Sequence, residues 1–331
     1  MTSHFHSNTV ISAIGSYVPE RILSNADLEL MVDTSDEWIV QRTGIRERRI
    51  AEDHQYTSDL SIRAVHNLAE RSGASLSDVD YIIVATSTPD TFVPSVASRV
   101  QAAFGIERCG TVDIQAACAG FTSAIQLANG LLLSGQYKKI IVIGAETLSK
   151  ATDYSDRTTC ILFGDGAGAL LLEAVNGSAG DVLAVSSHTD GTGGHLLYRS
   201  SLSPTIGETE LVASSNIVQN GREVYRWAVS QVSVGIAELM RDNGYTTDQI
   251  NWFIPHNANQ RIIDALCERT GFTPQQALSS IEQYGNTSAA SIPLALDTAV
   301  KDGLVLPGHL LLLYGFGGGL TQSGVIIRWS I

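Results

Sequence analysis

Three side chains in this 331-residue chain stand where an apolar run gives way to a turn or a helix pattern. Those are the places where α/β proteins concentrate reactive groups. Cys118, in Asp113-Ile-Gln-Ala-Ala-Cys-Ala-Gly-Phe, follows a strand pattern and precedes a small-residue helix pattern. Free amides at a helix N-terminus stabilise an anion, so the expectation is a thiolate of lowered pKa that attacks thioester carbonyls. The competing reading is a buried small hydrophobe, the ordinary fate of a free cysteine. Cys109, Cys160 and Cys267 lack the strand-to-helix setting and take that second reading. A phosphatase loop is excluded, because Ala124 stands where its phosphate-binding Arg would be needed. His256, in Trp252-Phe-Ile-Pro-His-Asn-Ala-Asn259, follows a run that Pro255 terminates, which puts an imidazole at the carboxyl end of a strand. Asn286, in Tyr284-Gly-Asn-Thr-Ser288, is either a turn and N-cap residue or an amide donor to a developing oxyanion or enolate.

Two glycine-rich segments bear on the same chemistry. Gly315-Phe-Gly-Gly-Gly319 follows an apolar run; it either brings main-chain amides close to a ligand or makes a turn between two strands. Gly164-Asp-Gly-Ala-Gly168 is out of phase with the dinucleotide fingerprint and leads into the strand-like Ala169-Leu-Leu-Leu-Glu, which argues against nucleotide binding there.

The elements that must position these residues alternate between strand and helix. Strands are expected at Val10–Val18, Tyr81–Thr86, Thr111–Ala116, Lys139–Ala145, Cys160–Glu173, Leu183–His188, Trp252–Pro255, His309–Gly315 and Ser323–Trp329. Several are apolar at nearly every position, as in sheets covered on both faces. Thr34-Ser35-Asp36-Glu37 reads as a capping box opening a short helix; other helices are expected over Ser58–Gly73, Ala119–Gly135, Glu223–Asn243, Ala258–Gly271 and Ser288–Gly303. The class is α/β. Asp80-Tyr-Ile-Ile-Val echoes Asn251-Trp-Phe-Ile-Pro, and Gly144 after one apolar run echoes Gly315 after another, both at a spacing of 171 residues. The echo divides the chain into two similar halves, 1–178 and 179–331, at the break in Asn176-Gly-Ser-Ala-Gly180.

Composition narrows the function. Lys plus Arg number 21 against 34 Asp plus Glu, a net charge of −13, which disfavours a phosphate-tracking nucleic-acid binder. With 44% hydrophobic and 17% charged residues the chain is not disordered. The stretch from Gly303 to Ile327 carries no charged residue, but Pro307 and its glycines would leave backbone groups unpaired in lipid; two buried strands fit better than a membrane span. Four cysteines make no disulfide scaffold and Met1–Asn8 has no apolar signal core, so a reducing cytoplasm is expected.

Taken together, these segments resemble the β-ketoacyl-acyl-carrier-protein synthase III family, in its Gram-positive bacillus form. The resemblance runs over essentially the whole chain. It rests on Asn25-Ala-Asp-Leu, Val32-Asp-Thr-Ser-Asp-Glu-Trp-Ile-Val-Gln-Arg-Thr-Gly-Ile-Arg-Glu-Arg-Arg49, Cys118-Ala-Gly-Phe, Phe163-Gly-Asp-Gly-Ala-Gly, Asn220-Gly-Arg-Glu-Val-Tyr, Pro255-His-Asn-Ala-Asn, Tyr284-Gly-Asn-Thr-Ser and Gly315-Phe-Gly-Gly-Gly. It implies the thiolase fold, with two similar halves in five layers, α-β-α-β-α, and a homodimer. It implies that Cys118 takes an acyl group from acyl-CoA, with the amides of Cys118 and Gly318 as oxyanion hole. His256 and Asn286 would then drive decarboxylative condensation with malonyl-acyl carrier protein, with no metal or redox cofactor. CoA contacts map to Thr34, Trp38, Arg42, Arg157, Gly221, Arg222, Tyr225 and Asn259. Arg222, Arg226 and Arg261 are candidates for docking the acidic carrier protein, and Val93 and Phe316 for the acyl pocket and dimer contact. Arg222 replaces the Asn of well-studied members, Asn257 the Gln of many, and Val93 an aromatic residue. A related acyltransferase of secondary metabolism, or a catalytically silent acyl-binding homologue, would share much of the pattern. Biosynthetic thiolases are disfavoured, because they use a second cysteine near the C-terminus and the last one here is Cys267.

Overall fold

Ile82-Ile-Val-Ala85 and Ile140-Ile-Val-Ile143 are apolar at every position because both faces of their sheet are covered. A computed structural model of the chain describes residues 6–176, 180–212 and 214–331. Its first large sheet contains β1 (Thr9–Tyr17), β2 (Tyr81–Ala85), β3 (Gly110–Ile114), β4 (Lys139–Thr147) and β5 (Asp165–Ala174), ordered β1-β5-β4-β2-β3. The second contains β6 (Val182–Thr189), β7 (Trp252–Pro255), β8 (Leu310–Gly317) and β9 (Thr321–Arg328), ordered β7-β8-β9-β6.

The two sheets repeat one another in order and direction. β2 lies parallel to β4 with Tyr81 opposite Ile140, and β7 lies parallel to β8 with Trp252 opposite Leu311, each residue 171 positions from its counterpart. β5 then runs antiparallel to β4 and β1, as β9 does to β8 and β6. β3 adds a parallel edge to the first sheet, where the second has only the bridge Phe253–Ala277. The dividing pair expected at 178 and 179 lies outside the described residues.

Helices fill the layers. The longer ones are α1 (Asp36–Thr43), α2 (Thr57–Ser72), α3 (Val96–Phe104), α4 (Gly120–Leu133), α5 (Gly221–Trp227), α6 (Ser233–Asp242), α7 (Gln260–Thr270) and α8 (Ser291–Lys301). Ile83 and Ala85 face α4 and α8 between the sheets, whereas Ile82 and Val84 face α2 and α3 outside. In the second sheet Leu311 and Leu313 turn toward that central layer, and Leu312 and Tyr314 toward α6 and α7. The result is the five-layer α-β-α-β-α arrangement of the thiolase fold.

Local chemistry moved several expected boundaries. The strand expected from Cys160 begins at Asp165, because Asp156 gathers Thr158 and Thr159 onto its carboxylate and winds residues 156–162 into turns. Ser35, not Thr34, caps α1 by accepting from the Trp38 amide, and Thr34 Oγ1 is buried without a partner. The long helix expected at Glu223–Asn243 is α5 and α6 joined by a π-helical turn, Ala228–Val232. The charge-free stretch is the β8–β9 hairpin, as expected, and among the described residues no helix is long and apolar enough to cross a membrane.

The repeat extends to a pair of unusual turns. Ala117 and Ser288 both have left-handed backbones, φ 45° and 47°, and each opens a 3₁₀ turn that runs into α4 or α8. The turns press on strand ends that have no side chain to spare. A Cβ on Gly144 of β4 would lie 2.2 Å from the Ala289 carbonyl oxygen. Gly144→Ala should therefore cost about 1–3 kcal/mol, read as a lowered urea midpoint. Gly130→Ala, on an exposed position of α4 where a Cβ meets nothing within 4 Å, should raise it by up to about 1 kcal/mol. Equal effects of the two substitutions would contradict the close approach at Gly144.

Candidate active site

Cys118 sits in the first left-handed turn, one residue after Ala117 and two before α4. The end of β8 passes directly beneath it: a Cβ on Gly317 would lie 2.8 Å from its Sγ, and one on Gly315 would lie 2.7 Å from the Ala119 Cα. The Gly315–Gly319 segment is thus both a turn between strands and a main-chain approach to the sulfur. The amides of Cys118 and Gly318 both lie close enough to that sulfur to favour its ionised form.

The expectation of a resting thiolate fails. Burial pushes the Cys118 thiol up to about 12, and the neighbouring Glu146 carboxylate adds to the rise; Ser288 and the two amides counter only part of it. The sulfur precedes the helix by a 3₁₀ turn and is only 8% exposed, so loss of water outweighs the helix terminus.

His256 leaves the end of β7, which its own amide prolongs by donating to the Tyr314 carbonyl. The ring is 2% exposed and lies edge-on to Phe316, centroids 5.3 Å apart. Burial holds its pKa down to about 3, so the imidazole is neutral. Ser291 Oγ accepts from the Asn257 amide at 3.3 Å and lies 2.8 Å from His256 Nδ1, to which we assign its hydrogen because no other acceptor meets it among the described residues. That network leaves the ring proton on Nε2, a donor.

Asn286 is clamped between the halves. Its amide donates to the Leu162 carbonyl, and its carbonyl accepts from the Gly164 amide. A Cβ on Gly164 would fall 2.2 Å from the Tyr284 carbonyl oxygen, which accounts for the Gly164–Gly168 segment without a nucleotide. The side-chain Oδ1 accepts from the Ser288 amide at 2.9 Å, which turns the Nδ2 donor pair away from the Ser288 turn. Asn257 is structural: its amide pins the loop at Ser280 and the carbonyl of Pro255.

Cys118, His256, Asn286, Phe316 and Gly318 share the wall of one cavity of about 920 Å³. Gly221, Tyr225 and Asn259 line the same cavity farther along. Trp38, Arg42 and Arg157 form a separate group, with the guanidiniums of Arg157 and Arg42 lying 4.8 and 5.8 Å from the Trp38 ring centroid, and Thr34 stands just ahead of the same helix. That group adjoins the cavity through α1, whose C-terminal Gly44 packs on Gln260 beside Asn259. Arg222 is exposed outside the cavity wall; Arg226 is paired with Glu223 at 2.8 Å, and Arg261 lies 5.7 Å from the Tyr225 ring. Val93 is exposed and off the wall, whereas its neighbour Phe92 lines it. Sequence reasoning missed Ser288, Ser291 and Glu146. The first two were within reach, since Asn286-Thr-Ser-Ala-Ala-Ser291 places a hydroxyl on each side of the second turn.

Residues 112–191 match the family model described as 3-oxoacyl-acyl-carrier-protein synthase III, and residues 240–329 match its C-terminal counterpart. A β-ketoacyl-acyl-carrier-protein synthase III 2 of Bacillus subtilis (strain 168) is 54% identical over 325 residues, covering 98% of this chain and 100% of its own. A protein of the same name from Halalkalibacterium halodurans is 52% identical, covering 98% of each chain. Among solved structures, the synthase III of Thermus thermophilus superposes with a TM-score of 0.93 at 43% identity, over 97% of this chain and 99% of its own. The priming β-ketosynthase of the R1128 polyketide pathway gives 0.90 at 33% identity, over 100% and 98%. With this fold, this agreement and a buried cysteine flanked by neutral donors, the chain belongs to the β-ketoacyl-acyl-carrier-protein synthase III family, thiolase-fold acyltransferases that carry out the initiating condensation of fatty-acid synthesis.

Proposed function

We propose that Cys118, His256 and Asn286 are the catalytic set and that the enzyme works in two half-reactions. In the first, Cys118 Sγ attacks the thioester carbonyl of acyl-CoA, the oxyanion lies against the amides of Cys118 and Gly318, and CoA leaves. In the second, malonyl-acyl carrier protein enters, and His256 Nε2–H and Asn286 Nδ2–H donate to its thioester carbonyl. Loss of carbon dioxide moves charge onto that oxygen, where donors placed in advance in a dry site lower the barrier. The enolate carbon attacks the acyl-Cys118 thioester; collapse frees the thiolate and gives 3-ketoacyl-acyl carrier protein. What supports the reading is the convergence of two main-chain amides on one sulfur, with two neutral side-chain donors on the same cavity wall. A neutral imidazole suits the role, since it donates without first needing to be charged in a dry site.

CoA is the substrate's carrier in this scheme, and no step calls on a metal or redox cofactor. Trp38, Arg42, Arg157 and Thr34 would receive its nucleotide end, with Gly221, Arg222, Tyr225 and Asn259 along the pantetheine arm. Arg222, Arg226 and Arg261 would face the acidic carrier protein. We read the chain as two halves, 1–178 and 179–331, working as a homodimer in the cytoplasm, with Phe316 bounding the acyl pocket and the exposed Val93 at the dimer contact.

Cys118→Ser should retain no radiolabelled acyl group from acetyl-CoA, and unchanged labelling would sink the nucleophile assignment. His256→Ala and Asn286→Ala should acylate nearly normally yet lose about 10²–10³-fold in malonyl decarboxylation. Loss of acylation instead would reverse their roles. Replacing Arg222, Arg226 and Arg261 together by Gln should raise KM for malonyl-carrier protein several-fold and flatten its salt dependence, with KM for acyl-CoA changed less. Carrier-protein kinetics that stay as in the wild type would remove the docking assignment.

A further inference from the structure

One buried ionisable group at this site takes no part in the scheme above. Glu146, near the end of β4, has no solvent exposure, and among the described residues no Lys, Arg or His pairs with it. Its carboxylate is held by neutral donors from the loop leaving β2. The Ser87 amide reaches both oxygens at 3.1 Å, while the Thr86 and Thr88 hydroxyls reach Oε2 at 3.2 and 2.5 Å. Thr88 is itself fixed as a donor, because its Oγ1 accepts from the Thr147 amide. The Ser288 side chain bears on this carboxylate and on Cys118 alike, because its turn packs on both β4 and the Cys118 turn and shares the cavity wall with the sulfur. Ser288 therefore stands between the carboxylate and the sulfur.

Acylation needs somewhere for the thiol proton to go. The buried Cys118 thiol does not ionise unaided at neutral pH. His256 is a poor acceptor: its Nδ1 is already engaged by Ser291 and its Nε2 carries the ring proton. We propose that Glu146, acting through the Ser288 hydroxyl, receives the Cys118 thiol proton as the acyl-CoA thioester is attacked. The S–H bond breaks, Ser288 Oγ takes that proton as its own passes to the carboxylate, and the sulfur lone pair forms the new S–C bond. When the tetrahedral intermediate collapses, the C–S bond to CoA breaks. The proton then returns through Ser288 to the departing CoA sulfur, releasing CoA as its thiol and leaving Glu146 ionised. Because Glu146 reaches the sulfur only through Ser288, it is a positioning residue of the acylation step.

The elements packed on this end of β4 are β2 with its exit loop, β5, which sets Gly166 opposite Glu146, and the Ser288–Ala290 turn. They present hydroxyls and amides; the titratable group facing the carboxyl is Cys118 across Ser288. Burial raises Glu146 to about 7, against the hydrogen bonds of Thr88, Ser87, Ser288 and Thr86. A carboxyl so raised is protonated and unable to accept below that pH, and ionised and able to accept above it.

The inference rests on Cys118 being the acylated nucleophile, and the test separates the two. Single-turnover acylation of the whole chain by radiolabelled acetyl-CoA is followed from about pH 5.5 to 9. The wild-type rate should rise through about pH 7 and level off. Glu146→Gln should lose about 100-fold or more at pH 7.5 and keep climbing with pH without levelling, as attack falls to the rare spontaneous thiolate. Ser288→Ala, which leaves Glu146 in place, should behave the same way, and Glu146→Asp should restore the levelling profile. A Gln or Ala variant with the wild-type profile, or a wild-type profile flat between about pH 6 and 8, overturns the relay while leaving the nucleophile assignment intact. Absence of label on wild-type Cys118 overturns both.

Discussion

Two left-handed turns, at Ala117 and Ser288, are pressed against strand ends that have no side chain to offer them, and the geometry of the site follows from that contact. A left-handed backbone with a β-carbon costs roughly 1–2 kcal/mol and persists only where its surroundings enforce it. The enforcement is visible. The Ala119 amide closes the first turn on Ala116, the Ala290 amide closes the second on Thr287, and Asn286 Oδ1 holds the Ser288 amide. Gly144 lets β4 slide under the second turn, and Gly315 and Gly317 let β8 slide under the first. Each half thereby supplies the floor of the other half's turn, which brings residues 118, 256 and 286 onto one wall.

Such close packing also sets the electrostatics. A site this dry disfavours every resting charge, so the thiol stays protonated and the imidazole neutral. Neutral donors gain in the same medium, because no water competes for the oxygen they address. At the surface the logic reverses. The chain carries a net charge of −13, yet the CoA thioester and carrier protein proposed as its substrates are anionic, so their attraction must be local. Arg157 and Arg42 both lie by the Trp38 ring and Arg261 lies by Tyr225, while Arg226 is already engaged by Glu223. Of the arginines proposed to face the carrier protein, Arg226 is therefore partly neutralised by the chain itself.

Much of this was readable from the sequence, and the exceptions share a cause. The 171-residue echo predicts two similar halves, because apolar runs and their glycine ends are local signals, and the structure repeats the β2–β4 pairing as β7–β8 at that spacing. Pro255 ahead of His256, and Gly285 ahead of Asn286, marked the strand end and the turn. The state of Cys118 was not readable, because the strand that removes its water lies almost two hundred residues away in sequence. Nothing local marks Glu146, which follows the apolar run Lys139–Ala145, since the hydroxyls that hold it come from the loop after β2 and from the second half. The false start of β5 came from Cys160-Ile-Leu-Phe163, apolar enough for a strand but captured by Asp156. Local patterns predict local structure; the charge state of a buried group is set by what the other half brings.

The repeat explains why the reactive groups are divided between the halves. Cys118 has Ala289 as its counterpart 171 residues on, His256 has Ala85, and Glu146 has Gly317. In each pair one member is large or reactive and the other is among the smallest residues. Ala85 is fully buried beneath Gly120, whose Cβ would already lie 2.8 Å away, so an imidazole has no room there. Ala289 is pressed on Gly144 by its carbonyl, and Gly317 leaves the gap that the Cys118 sulfur fills. A junction between two matching strand ends has space for one functional side chain per pair. The repeat supplies two sets of positions, and packing density forces them to be used in complementary fashion, buried thiol and carboxyl on one side and neutral donors on the other.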